Sequence, residues 1–440
     1  MEQQLAELSD KLAALEAAQA MSSTINAEIF YWWCTGLMVI IHAGFLAYEM
    51  GSSRSKNVLA SGIKNILAFA FIVPTLFFVG WWIYLAFPNG FVPDLSSTYG
   101  APWDVSMGPN LADNATGVFW AAFTLFAATT ASIFSGAVIE RIQVSAFLIL
   151  AILLGSVVWI LGASWGWHPT GWLTAKFGYH DVGAAGVVHM IAGFFALGVL
   201  INLGPRVGKF NADGSANDLH AHNVPFTITG LMLIIVGFFG FLGGCIIYIP
   251  GEQWINIYGQ PATLSAFAFN TLMGFSGGII GAWVKTRDPF WMMSGALIGI
   301  FCAASGLDLY YPPLAFLLGL FGGFVVPMAA KLLEKAGIDD AVGAFPVHGI
   351  GGLIGVVGCG VFASGYPNVE GFPPITLYGQ LIGAVVMAAL GFIPGYVVSA
   401  LIKGMGFLRV PDEIQEIGLD KTKVPIKAYP EGSIGTMPAE

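Results

Sequence analysis

Two stretches of the chain set an acid and a histidine at the same spacing: DVGAAGVVHMIAG, from Asp181 to Gly193, and DAVGAFPVHGIGG, from Asp340 to Gly352. In each, the histidine (His189, His348) follows the acid by eight residues, and a glycine follows the histidine by four. An acid at a helix start can accept free N–H groups of the first turn and complement the helix dipole. A histidine eight residues on lies about 12 Å deeper at 1.5 Å per residue. Buried in an apolar segment, it is by default a functional candidate. A backbone carbonyl could satisfy one isolated histidine, but two in matching positions point to a shared role. A hydrogen-bonded imidazole pair can accept and pass protons, and its neutral form suits a narrow apolar passage. A metal site is not expected, because no Cys, Asp or Glu lies within a turn of either ring to complete a tetrahedral set. Asp340 reads first as a structural cap; Asp181 reads equally as a cap or as an acid that attracts cations.

The elements that carry these phrases are apolar helices. Of 440 residues, 56% are hydrophobic and 10% charged, with mean hydropathy +0.76, whereas soluble domains carry about 25% charged residues. Hydrophobic stretches of about 20 residues recur along nearly the whole length, the mark of an all-α polytopic membrane protein. The alternating segments of about 10 residues that would announce a β-barrel are missing. The 58 glycines let membrane helices approach closely. Cys34, Cys245, Cys302 and Cys359 all fall in apolar segments and read as packing residues, not a disulfide framework. No nucleophile–base or cofactor motif appears, so neither an enzyme nor a cofactor is expected, nor a nucleic acid partner.

Eleven spans are expected, at roughly 28–50, 60–87, 115–138, 144–165, 183–204, 224–249, 262–284, 290–307, 311–333, 342–363 and 376–404. With the N-terminus outside, fifteen of the 17 Lys and Arg residues fall on the inner side and only Lys11 and Lys176 on the outer. The positive-inside rule then places the N-terminus outside and the C-terminus in the cytoplasm. The two phrases sit in spans 5 and 10, which run in opposite directions. Spans 1–5 and 6–10 are therefore related as a 5+5 inverted-topology repeat, with one span added. Folds of this kind place their site at the repeat interface near the midplane. Residues 1–26 form a separate acidic, amphipathic outer segment, with leucines at 5, 8, 12 and 15 in a 3-4-3 spacing that fits either a solvated helix or a short self-associating one. Residues 27–404 form the transmembrane unit, and 405–440 a polar cytoplasmic tail.

Several motifs resemble those of the ammonium transporter/methylammonium permease/Rhesus superfamily, over about residues 28–420. They are D-x7-H in span 5, GAVIER (Gly136 to Arg141) closing span 3, HNVP (His222 to Pro225) opening span 6, FGF (Phe239 to Phe241), DDAVGAFPVHG (Asp339 to Gly349) and LRVPDEIQEIGLD (Leu408 to Asp420). The resemblance implies a homotrimer in the lipid bilayer of the cell membrane with one pore per subunit. Ammonium or ammonia, with methylammonium as a further candidate, would be the substrate. It implies His189 and His348 as the pore centre, Phe126 and Phe241 as stacked rings at the outer mouth, and Asp181 as the acid beneath the vestibule. Trp167 is the matching outer tryptophan, with Trp165 as competitor. The tail implies docking of a P-II-type regulator on the cytoplasmic face. The chain departs from the pattern at Cys245, where the family often has serine, and at Leu242 in Phe238-Phe239-Gly240-Phe241-Leu242. His42 and Glu49 are extra ionisable groups in span 1, read as a core histidine with a local partner and as an acid paired near the inner interface, for example with Arg54.

Elementary energetics favours a deprotonating route through such a passage. Moving a bare cation of this size into a low-dielectric medium has an idealised cost of order 20 kcal/mol. An acid with a pKa roughly two to three units above 7 loses its proton at neutral pH for about 3–4 kcal/mol. Aromatic rings can first gather the cation by cation–π attraction. A receptor on the same scaffold, signalling through a separate partner, is the competing function.

Overall fold

The computed structural model describes residues 2–94, 96, 116–248 and 254–430. Eleven long helical elements follow the hydrophobic pattern: α1 Glu2–Ser52, α2 Ser55–Ala86, α3 Thr116–Ala137, α4 Val144–Gly166, α5 Ala185–Leu203, α6 Val224–Gly243, α7 Leu264–Thr286, α8 Pro289–Ala304, α9 Pro312–Lys335, α10 Phe345–Phe362 and α11 Leu377–Gly404. Among the described residues ten are long and apolar enough to cross a bilayer; α8, at 16 residues, is a shorter apolar helix at the remaining expected span. The sixth helix stops at Gly243, short of the expected 249, because the chain turns into a hairpin of β1 Ile246–Tyr248 and β2 Trp254–Asn256. Helix α1 runs unbroken through the amphipathic N-terminal segment into the first span. Its first turns touch little, and Leu5, Leu8, Leu12 and Leu15 are exposed.

The two halves pack alike. α1 and α6 cross antiparallel at glycines: Gly44 of α1 faces Ile234 and the Gly230 backbone, and Gly237 of α6 faces the Leu37 and Ile41 backbone. With no hydrophobic drive between helices in lipid, such backbone approach supplies the packing. α3 packs on α5 as α8 packs on α10, and α11 wraps along α5. These matching pairs are what a five-plus-five inverted repeat with one extra helix requires.

The end carrying Asp340 is tied by buried ion pairs. Arg206 grips Asp339 with two side-chain bonds of 2.9 Å, and Arg141 donates to the Asp339 carbonyl. Burial alone would raise the Asp339 pKa, but Arg141 and Arg206 outweigh it and hold the carboxyl well below its usual range. The tail docks at the same end. Val410 N–H donates to the Arg141 carbonyl at 2.8 Å, and the Asp420 carboxylate accepts from Leu59 and Ala60 N–H at 2.9 and 2.8 Å, capping α2. Residues 431–440 of the expected tail lie outside the described residues.

Candidate conduction site

Each acid–histidine phrase folds into the same local device. Asp181 Oδ2 accepts from Gly186 and Val187 N–H, both at 2.8 Å. Asp340 accepts from Ala344 N–H at 2.9 Å and Phe345 N–H at 2.7 Å. Three residues after each acid the chain turns left-handed, at Ala184 (φ 69°) and Gly343 (φ 74°). The helix then opens as a wide π turn, Ala185–Met190 in one copy and Phe345–Ile350 in the other, before tightening to α. Such turns are uncommon and concentrate at functional sites. Each contains its histidine.

The glycine four residues beyond each histidine lets the two opened helices meet. A Cβ on Gly193 would run into the backbone of Gly349, and one on Gly352 into the Ala185 carbonyl. The antiparallel contact brings His189 Nδ1 to 3.0 Å from His348 Nδ1. One proton can lie between two Nδ1 atoms, so the neutral pair must hold opposite tautomers, the acceptor ring carrying its proton on Nε2. His189 Nε2 is buried with no hydrogen-bond partner among the described residues. Around the pair the wall is aromatic: the Phe301 ring lies 3.7 Å from the His189 ring and 4.7 Å from that of His348.

On the Asp181 side the aromatic wall thickens. Phe241 stands 5.8 Å from His189 and packs on Phe126 at 4.3 Å. Phe126 is stacked parallel to Trp159 and meets the edge of Trp167 at 5.5 Å. Trp167 donates its indole N–H to the Asp181 carbonyl at 2.8 Å, whereas Trp165 packs against Phe91 and Trp172. Cys245 is buried, its thiol 3.5 Å from the Phe241 carbonyl. The Asp181 carboxylate is fully buried, and its remaining acceptor capacity is taken by Ser305 Oγ at 2.6 Å and Tyr179 OH at 3.2 Å.

On the far side of His348 a narrow apolar cavity runs between Phe45, Ile133, Leu231, Val342 and Val347. Val342 and Gly343 also line a much larger cavity of about 910 Å³, which includes Asp218, His220, Trp291, Lys331 and Pro346. The imidazole pair therefore sits between a closed aromatic stack and a slot that leads to a wide polar vestibule.

The chain matches the Ammonium Transporter Family across residues 29–429. It belongs to that family. Ammonium transporter Amt2 of Methanocaldococcus jannaschii is 32% identical over 421 residues, covering 94% of each chain. Amt1 of the same organism is 30% identical over 411 residues, covering 91% of this chain and 96% of its own. Among solved structures, one described as a sensor Amt protein superposes with a TM-score of 0.79 at 26% identity, over 91% of this chain and 98% of that one. Mep2 of Candida albicans, at 22% identity and TM-score 0.70 over 88% of this chain and 86% of its own, shows the shared fold. This family member is thus a multi-pass membrane protein of a transporter family, not of an enzyme family.

Some of the surroundings differ from what the residues alone suggested. Glu49 does not pair with Arg54. It is fully buried and faces Lys64 at 3.4 Å, with Asn65 at 2.8 Å and Ser135 also bonded to it. Arg54 is taken instead by Glu140, backbone and side chain both, because the left-handed turn at Glu140 (φ 70°) swings that acid across to it. His42 finds Ser132 Oγ at 3.2 Å. Phe301, Ser305, Tyr179 and Trp159 were not singled out by sequence. Phe301, Ser305 and Trp159 lie on elements remote in the chain from the acid–histidine phrase, and Tyr179, two residues before Asp181, carries no spacing that marks it.

Proposed function

We propose that this chain conducts ammonium across the membrane by gathering the cation at the Asp181 end, transferring its proton to a lone pair of the His189–His348 imidazoles or back to the water outside, and passing ammonia by that pair. The observation that carries this reading is the direct 3.0 Å Nδ1–Nδ1 contact inside an otherwise aromatic wall. Neutral imidazoles offer a lone pair and an N–H to a small molecule that can both donate and accept, and the unpartnered His189 Nε2 suits such a guest. A bare cation would lose its hydration there at a cost the rings cannot repay, so deprotonation is the easier route.

In this reading Phe126, Phe241 and Trp167 form the outer aromatic mouth, with Cys245 below it, and Asp181 acts as the cap that holds the mouth in register. Asp340 caps the second repeat. The N-terminus lies outside and the C-terminus in the cytoplasm, on the distribution of Lys and Arg. Residues 1–26 form the outer helix, 27–404 the transmembrane unit and 405–440 the tail. A homotrimer in the cell membrane and docking of a P-II-type regulator at the tail follow by analogy with the family.

Proteoliposome electrophysiology under an ammonium gradient tests the centre of the proposal. His189→Ala and His348→Ala should each change flux by roughly tenfold or more, the usual scale for a positioned proton-transfer group. Flux unchanged in a well-folded double variant would remove the histidines from the mechanism. A second reading, ammonium sensing through a separate partner, draws on the similarity to a sensor Amt protein. It predicts ammonium binding by calorimetry with no current.

A further inference from the structure

His180, immediately before Asp181, is fully buried, and both of its ring nitrogens face acceptors. Nε2 lies 3.1 Å from Asp308 Oδ1 in the loop between α8 and α9. Nδ1 lies 3.1 Å from Asn368 Oδ1 in the connection between α10 and α11. The orientation of Asn368 is fixed by its other end, since its Nδ2 donates to the Tyr179 carbonyl at 2.9 Å. A carboxylate oxygen and an amide oxygen can only accept, so both ring nitrogens must bring a proton.

We infer that His180 is held as an imidazolium, and that this buried cation is the positioning group that locks the segment bearing Asp181 onto the rest of the fold. Its backbone is clamped by Gln380 of α11, whose Oε1 accepts from His180 N–H at 3.1 Å while its Nε2 donates to the His180 carbonyl at 2.6 Å. Asp308 is completed by Asn256 Nδ2 of β2 at 2.6 Å. Tyr258, in the turn after β2, lays its ring 4.5 Å from that of His180 and accepts the Asp181 N–H at 2.9 Å. Three regions of the chain meet the imidazole itself (Asp308, Asn368 and Tyr258), Gln380 holds its backbone, and Trp167 reaches the same segment through the Asp181 carbonyl.

The alternative places the proton on Asp308. Imidazole outcompetes a carboxylate for it by roughly two to three pKa units in water, and the other carboxylate oxygen of Asp308 is already engaged by Asn256 Nδ2. Burial by itself opposes the charged ring, but Asp308, then Asn368 and Asp181, more than compensate and raise the His180 pKa above the usual value. The ionisable groups acting on the ring are Asp308 and Asp181, with the Tyr258 ring against it. Tyr310, near Asp308, is pushed up by burial and is neutral near pH 7. The sign follows: a group whose folded pKa is raised gives its full stabilisation below the unfolded value of about 6.5, and loses it as pH rises through the folded value.

The functional half of this inference rests on the Asp181 end being the entry side; the protonation half does not. ¹⁵N-histidine solid-state NMR of the full-length protein in bilayers at pH 8 should show an imidazolium signal among its seven histidines. That signal should vanish in His180→Gln. Absence of any imidazolium above pH 7 would overturn the inference, whatever the protein transports. In ammonium flux measurements, wild type should fall on the alkaline side as His180 loses its proton. His180→Gln should be slower by about ten- to a hundredfold, the scale of a displaced site, with that alkaline step gone. Adding Asp308→Asn should recover most of the loss, because no unpaired charge then remains buried. An unchanged rate and pH profile in His180→Gln would remove its positioning role, whereas a wild type without flux would sink only the transport reading.

Discussion

Asp181 and Asp340 cap opened helices in the same way but stand in different surroundings, and the difference shows how one device serves the two sides of the imidazole pair. Asp181 is fully buried, with four donors on its two oxygens, beneath the packed Phe126–Phe241 pair. Asp340 is partly exposed, accepts from two backbone N–H groups, and lines the wide vestibule. The symmetric part, comprising cap, left-handed turn, π turn, histidine and glycine, sets the geometry of the imidazole pair. The asymmetric part decides which side is closed by aromatic rings and which opens to water.

The sharpest way to break the symmetric part is at its glycines. Gly193→Val and Gly352→Val each drive a side chain into the facing backbone, and overpacking against backbone costs about 3 kcal/mol or more. Both should lose the monodisperse peak in size-exclusion chromatography; a folded variant with normal flux would show that the close crossing is dispensable. The acids should separate the two copies. Asp181→Ala strands two buried N–H groups and two hydroxyls, for an expected loss of roughly 3–5 kcal/mol, against about 1–2 for Asp340→Ala, whose donors lie beside the vestibule. Thermal unfolding in detergent reads the order, and equal losses would mean that Tyr179 and Ser305 contribute nothing. The smallest effect tests the turns. Ala184 holds a left-handed φ that glycine adopts freely, so Ala184→Gly should stabilise by up to about 1 kcal/mol, and Gly343→Ala should destabilise by about the same. A Cβ on Gly343 meets nothing nearer than 3.5 Å, so that change reports backbone strain alone.

Much of this was legible in the chain. Span number and position follow from hydrophobic length, and the repeat follows from two phrases on oppositely directed spans. That His189 and His348 meet follows from the symmetry, since matching depths on antiparallel helices converge. Less visible was the division of ion pairs at the Asp340 end. Glu49 and Arg54 are close in sequence, yet Glu49 is captured by Lys64 and Arg54 by Glu140, because the helix start at α2 and the turn at Glu140 bring better-placed partners. The His180 cluster was not visible at all. Its partners Asp308, Asn368, Gln380 and Asn256 are scattered over four segments and share no spacing.

Sequence by itself determined the class of molecule, the eleven helices, the repeat and the paired histidines, because hydrophobic length and recurring spacing are properties of the chain. Only the tertiary structure decided which way each helix opens, which acid is sealed and which is wet, and which buried charge finds which partner. Those outcomes depend on distances between residues far apart in sequence, where burial makes one ångström of approach the difference between a satisfied group and a stranded one.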